Sequence, residues 1–142
     1  KEIAEQPEVI GHTFSHYLDA TGPSVSLNDK RLEKALTNAT RLTISACGTA
    51  FYAGLVGKYW FEQLARLPVE ADVASELRYR EPVYPKDGVA LFISQSGETA
   101  DTLAALRDAK ATSSRCQSPA MSGGTPAALA VMVFRSTWLI ER

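Results

Sequence analysis

The sequence predicts a three-layer α/β domain built on an open, doubly wound parallel sheet. Three observations carry that expectation. Strand-like and helix-like stretches alternate along most of the chain, the pattern of consecutive βα units. Residues 42 to 73 have the length of one complete βαβ unit, whose two strands must run parallel. The run Val89-Ala90-Leu91-Phe92-Ile93 is wholly apolar, as a strand covered by helices on both faces has to be.

Taken in order, residues 1 to 17 place Ile3, Val9, Ile10, Phe14 and Tyr17 on spacings compatible with a helical face, and Pro7 suggests that regular helix starts near it. Thr21-Gly22-Pro23-Ser24 breaks the pattern. A second helix is expected to take Asn28 or Asp29 as its cap and to continue through Leu32, Ala35 and Leu36. Leu42-Thr43-Ile44-Ser45-Ala46 is short and β-branched and leads into Gly48, so it reads as a buried strand ending in a turn. Tyr52, Leu55, Val56, Tyr59, Trp60 and Leu64 then follow the spacing of one helical stripe, and Gly54 and Gly57 suggest close approach to another element. Pro68 ends that helix. Val69 to Val73 supplies the next strand, Ala74 to Tyr79 a short helix, Pro82 and Pro85 a loop, Gly88 to Ile93 the central strand, and Thr99 to Lys110 a helix with Leu103 and Leu106 facing inward.

Composition narrows the function classes. The chain has 142 residues, 45% of them hydrophobic and 22% charged, which suits one soluble domain able to sustain a core without disulfides or metal. Fifteen Lys plus Arg against sixteen Asp plus Glu leave a formal net charge of -1, so the chain has no electrostatic footprint for nucleic acid. No apolar run approaches the roughly 18 residues of a membrane span. The charged start Lys1-Glu2-Ile3-Ala4-Glu5 is unlike a signal peptide, and the protein reads as cytoplasmic. Cys47 and Cys116 are too few for a disulfide framework. His12 and His16 stand i, i+4, but without a Glu in the HExxH arrangement or a third ligand they make no metal site. No cofactor is expected.

Two turns are built to hold a ligand beyond the carboxyl ends of strands. The first is Ala46-Cys47-Gly48-Thr49-Ala50; the second is Ser94-Gln95-Ser96-Gly97-Glu98-Thr99. A helix N-terminus presents unpaired N–H groups and about half a positive charge, which attracts an anion. Around the second turn stand the hydroxyls of Ser94, Ser96 and Thr99, the Gln95 amide, and Gly97, which lets the backbone close on a ligand. No Lys or Arg lies within it, so a phosphate would be held by hydrogen bonds and dipole. Ser, Thr and Gly are also ordinary helix caps. The loop is neither a Walker A loop nor a dinucleotide GxGxxG. Cys47 at a helix start reads as a small packed residue in preference to a nucleophile.

The string SQSGETADTLAALRDAK, together with ACGTA at Ala46 to Ala50, GKYWFEQLARLPVE at Gly57 to Glu70, ASELRYR at Ala74 to Arg80 and KEIAEQP at Lys1 to Pro7, resembles the first sugar-isomerase (SIS) domain of the glucosamine-6-phosphate synthases, the isomerizing glutamine:fructose-6-phosphate aminotransferases of amino-sugar biosynthesis. The resemblance covers about residues 1 to 111. It implies a SIS-type, flavodoxin-like sheet cut short at its C-terminal end, with linker and N-terminal helices over 1-40, a phosphosugar-binding core over 41-111 and an atypical tail over 112-142. It also implies that Gly48 and Thr49 of the first turn and Ser94, Gln95, Ser96, Gly97 and Thr99 of the second hold fructose 6-phosphate or glucosamine 6-phosphate. Ala50 stands where many members have Ser. The family role of Glu98 is not derivable from the sequence, and the helix dipole alone favours an acid there. Arg78 and Arg80 with Glu76 suit a dimer contact or a solvated face equally well. The family implies a homodimer through these domains.

The implied reaction moves glutamine-derived ammonia onto fructose 6-phosphate and isomerises the product, which needs a general acid and base near C1 and C2. The two turns offer neither. In the family these groups come from a second SIS domain and a C-terminal tail, and ammonia from an N-terminal glutaminase domain, so no catalytic residue is assigned here. A stand-alone sugar-phosphate isomerase or a sugar-phosphate-sensing module is the alternative. After Ala111 the likeness stops abruptly. A shifted reading frame over residues 112 to 142 accounts for the break, and so does a divergent last segment in which Ala127 to Phe134 forms a strand or helix.

Overall fold

The computed structural model describes residues 2–18, 25, 30–85, 87–116 and 128–133. The chain divides into two units, Lys1–Glu33 and Lys34–Arg142. The first holds helix α1 (Glu2–Tyr17) and an isolated antiparallel bridge between Leu18 and Val25. Helix α2 (Lys30–Thr37) spans the division. Helix α1 corrects the expectation at Pro7, because the helix begins five residues before the proline and encloses it. The caps expected at Asn28 or Asp29 lie outside the described residues.

The second unit is the sheet domain, with strands β1 (Arg41–Ala46), β2 (Val69–Val73), β3 (Gly88–Ser94) and β4 (Ala128–Val133), and helices α3 (Gly48–Leu64), α4 (Ala74–Leu77) and α5 (Ala100–Cys116). The strands are all parallel and stand in the order β2-β1-β3-β4. The open parallel α/β sheet predicted from the alternation of elements is therefore present. Successive strands step first to one side of β1 and then to the other, which is the doubly wound pattern.

Side-chain alternation along β1 divides the core in two. Leu42, Ile44 and Ala46 join Val69, Val89 and Ile93 on one face, with Phe51 and Phe61 of α3 and Ala35 and Leu36 of α2 packed against them. On the other face Ala90 and Phe92 meet Ala74 and Leu77 of α4 and Ala105, Leu106 and Ala109 of α5. Helix α3 lies so close to the sheet that a Cβ at Gly54 would stand 2.9 Å from Ile44 Cγ2. No such contact exists at Gly57, where nothing lies within 4 Å.

Two further expectations are corrected here. Helix α3 stops at Leu64, before Pro68; Ala65 is its C-cap and Arg66 takes a left-handed φ of 53°. The stripe read from Tyr52 to Leu64 turns outward apart from half-buried Leu55: Tyr52, Val56, Tyr59, Trp60 and Leu64 are all exposed. The inward face is instead the one carrying Phe51, Gly54 and Phe61. Spacing identifies a stripe but does not say which of two apolar stripes meets the sheet.

The edge strand β2 is tied down from α3. Lys58 donates to the Val69 carbonyl at 2.6 Å and to Glu62 at 2.8 Å, while the Val69 amide donates to Glu62 at 3.4 Å. These backbone groups face away from β1, so the pair covers part of an edge that would otherwise be open to pairing. Arg80 adds ion pairs to Glu70 and Asp72, each at 2.7 Å, and Arg41 a third to Glu70 at 2.9 Å. The Arg78 and Arg80 side chains are thus engaged within the domain, Arg78 with Asp108 at 3.5 Å.

Helix α5 continues to Cys116, six residues past the expected Lys110. Within the tail, the apolar run expected as a strand or helix forms β4, whose Ala128 to Val133 pair with Val89 to Ser94 of β3.

Candidate functional site at the switch point of the sheet

Strands β1 and β3 are neighbours, with Ala46 in register with Ile93. From their carboxyl ends the chain passes into α3 on one face and α5 on the other. The direction of winding reverses between these two strands, the position at which open α/β sheets hold their ligands. Gly48 and Thr49 of the first turn are exposed, and so is Gln95 of the second; Ser96, Gly97 and Thr99 are half-buried and Ser94 is buried. The topology therefore brings all seven predicted residues to the same end of two adjacent strands.

The first turn depends on Gly48, whose φ is +57°, a conformation that costs other residues roughly 1–2 kcal/mol. Cys47 is the N-cap of α3 in extended geometry but makes no side-chain capping bond, and the first turn of α3 contains no acid. The N–H groups and positive dipole end of α3 are consequently left for an external acceptor. Cys47 itself packs against Phe92 and its neighbours, as expected of a packed residue.

The second turn is organised by its own hydroxyls. Ser94 Oγ accepts the Gly97 amide at 3.0 Å and shares a hydrogen bond of 3.1 Å with Thr99 Oγ1. Ser96 Oγ accepts the Glu98 amide at 3.1 Å. Gly97 reaches the φ of +74° that closes the loop, and the Leu103 amide bonds to the Thr99 carbonyl at 3.0 Å as α5 begins. A hydroxyl that accepts from an amide still has its own proton to donate. Ser96, held by Glu98 N–H, is therefore oriented as a donor. The loop's hydroxyls are thus fixed by its own hydrogen bonds, a preorganisation that would lower the entropy lost by any ligand bound there.

Electrostatics separate the two helix starts. Helix α5 carries Asp101 in its first turn, with exposed Glu98 just before it, whereas α3 carries no acid there. The α3 end is therefore the more favourable of the two helix starts for an anion, an asymmetry that the motif alone did not show.

Two hydroxyls beneath the turns were also missed. Ser45 Oγ on β1 and Thr102 Oγ1 in the first turn of α5 are buried and have no hydrogen-bond partner among the described residues. Alternation puts Ser45 on the face of β1 that α5 covers. The signal was a polar residue inside an apolar strand. A separate hollow of about 340 Å³ lies between α4 and α5, lined by Leu77, Arg78, Tyr84, Ala105 and Asp108 among others; none of the turn residues lines it. Burial there pushes the Tyr84 hydroxyl up to about 12. Among the described residues no group of three His, Cys, Asp or Glu can hold a metal ion, and no helix is long and apolar enough to cross a membrane.

A family model described as SIS domain matches residues 35–122. The chain is 64% identical over 111 residues to the isomerizing glutamine–fructose-6-phosphate aminotransferase of Bradyrhizobium diazoefficiens, covering 78% of this chain and 18% of that relative. Against the protein of the same name from Brucella abortus it is 59% identical over the same coverage. The chain thus spans about one fifth of the length of these curated relatives. Among solved structures, the C-terminal domain of glucosamine-fructose-6-phosphate aminotransferase from Francisella tularensis superposes with a TM-score of 0.74 at 35% identity, covering 96% of this chain and 34% of that one. With a family model spanning more than half of the chain, laid over strands β1 to β3 and both turns, the chain belongs to the SIS domain family.

Proposed function

We propose that this SIS domain binds a phosphosugar, fructose 6-phosphate or glucosamine 6-phosphate, in the crevice between its two turns. The observation that carries this reading is the convergence of an uncapped, acid-free helix start at Gly48 with the preorganised hydroxyls of Ser94, Ser96 and Thr99. Gly48 and Thr49 offer backbone and hydroxyl donors to the phosphate from the α3 side. Ser96, Gly97 and Thr99 close on it from the α5 side, and exposed Gln95 reaches sugar hydroxyls. Ser94 holds the loop in shape through Gly97 and Thr99.

Binding is the whole of the chemistry assigned to this chain. Proton transfer between C1 and C2 requires an acid and a base within hydrogen-bond reach of those carbons, and the turns hold only packed Cys47 and exposed Glu98. In a longer protein like its curated relatives, the domain would hold the sugar while other domains convert fructose 6-phosphate and glutamine into glucosamine 6-phosphate. As a binder of charged sugar phosphates it belongs in the cytoplasm, and it works as a homodimer through its SIS domain.

Calorimetric titration tests the binding claim. Fructose 6-phosphate or glucosamine 6-phosphate should bind saturably, and Ser96→Ala should weaken binding by about tenfold or more, as expected when a hydrogen bond to a charged group is lost. Unmeasurable binding of both sugars by folded protein, or full affinity in Ser96→Ala, would overturn it.

A further inference from the structure

The hollow between α4 and α5 shares no lining residue with the two turns and has a chemistry of its own. It holds about 340 Å³, room for a body of about ten non-hydrogen atoms at the ~30 Å³ share of a water molecule. Its floor is apolar, made by buried Leu77, Ala105 and Ala109 with half-buried Pro82 at one side.

Three oxygen-bearing groups line the same hollow. Tyr84 is 5% exposed, yet its hydroxyl has no hydrogen-bond partner among the described residues. Buried polar groups are ordinarily paired, so an unpartnered one lining a hollow calls for an occupant. Glu81 is exposed and makes no ion pair among the described residues. Its backbone takes a left-handed φ of 50°, a conformation that residues with side chains seldom adopt and that gathers at ligand sites. Asp108 meets Arg78 through Oδ2, at 3.5 Å.

The charges select the ligand. Two carboxylates, Glu81 and Asp108, stand against the one guanidinium of Arg78. Arg78 is already engaged by Asp108 and by the Tyr79 ring, whose centroid lies 5.1 Å away. An anion therefore finds no free positive charge here, whereas a cation finds Glu81 unopposed. A primary ammonium has three N–H donors and no acceptor, which matches the two carboxylates and the Tyr84 oxygen one for one. An alkyl stem behind that head would cover Leu77, Ala105 and Ala109 and add apolar burial.

We propose that the hollow between α4 and α5 binds a small alkylammonium ligand, its head among Glu81, Asp108 and Tyr84 and its stem on the α5 floor. The site is independent of the phosphosugar reading, whose anionic ligand these carboxylates repel.

Backbone amide chemical shifts of the full chain, titrated at neutral pH with n-pentylammonium, n-pentanol and pentanoate, test it. The three probes share a stem and differ in the charge of the head. n-Pentylammonium should move Leu77, Tyr84, Ala105 and Ala109 along one saturation curve with a Kd of about 1 mM or tighter. The alcohol should bind at least about threefold more weakly and the carboxylate not measurably. Glu81→Gln should weaken n-pentylammonium by about threefold or more and leave n-pentanol unchanged, a pattern that loss of charge produces and loss of shape does not. Equal binding of the three probes, absence of saturable shifts at the hollow in folded protein, or full affinity in Glu81→Gln would each overturn the proposal.

Discussion

Ser94 does two jobs that its neighbours depend on: it ends β3 and it accepts the amide that closes the loop. A turn-forming role of this kind is readable from sequence, because hydroxyls and glycine between a strand and a helix serve to accept the loop's amides and to close it. Thr102 is the opposite case. Its hydroxyl is buried without a partner among the described residues, a state worth roughly 1–3 kcal/mol of lost hydration. Thr102→Val keeps the shape and removes that cost, so thermal unfolding should rise by about 3 °C, the equivalent of ~1 kcal/mol in a chain of this size. A fall would mean that the hydroxyl has a partner. Tyr84 makes a pH prediction. Its hydroxyl titrates at about 12 in the fold against 10 for the free side chain, so the folded state holds the proton more tightly. The resulting stability is fully present below pH 10 and is lost as pH rises toward 12. Urea unfolding at a series of alkaline pH values should show this decline, and Tyr84→Phe should flatten it; an equally steep decline in Tyr84→Phe would contradict it.

At the scale of elements, the helix α3 decides most. Gly54 and Gly57 look alike in sequence, three residues apart, yet one meets Ile44 at 2.9 Å and the other meets nothing. Gly54→Ala gains helix propensity of about 1 kcal/mol but must push α3 off a β-branched, fully buried partner, an overpacking cost of typically 1–3 kcal/mol. Denaturation should therefore show a net loss of stability, and a gain would place the helix farther from the sheet. The strands were legible nearly to the residue because apolar runs between turn signals leave little choice. The face of α3 was not. Its two apolar stripes have the same spacing, and only the sheet selects the one with a glycine narrow enough to approach it. The continuation of α5 to Cys116 and the strand Ala128–Val133 lay where the family resemblance had stopped; the apolar run itself was the remaining signal, and it left strand and helix equally open.

For the whole molecule, the order β2-β1-β3-β4 carries the functional argument, because it alone places the two turns at adjacent strand ends. Sequence reading supplied the turns and their residues, and the resemblance supplied a sugar phosphate. It did not supply the asymmetry between an acid-free helix start and one carrying Asp101, which depends on which helix begins where. The central claim is that one ligand touches both turns together. Backbone amide chemical shifts measured during addition of fructose 6-phosphate test this most directly. The account predicts that Gly48 and Thr49 move with the same saturation curve as Ser96, Gly97 and Thr99. Shifts confined to one turn, or centred on the hollow around Tyr84, would contradict it.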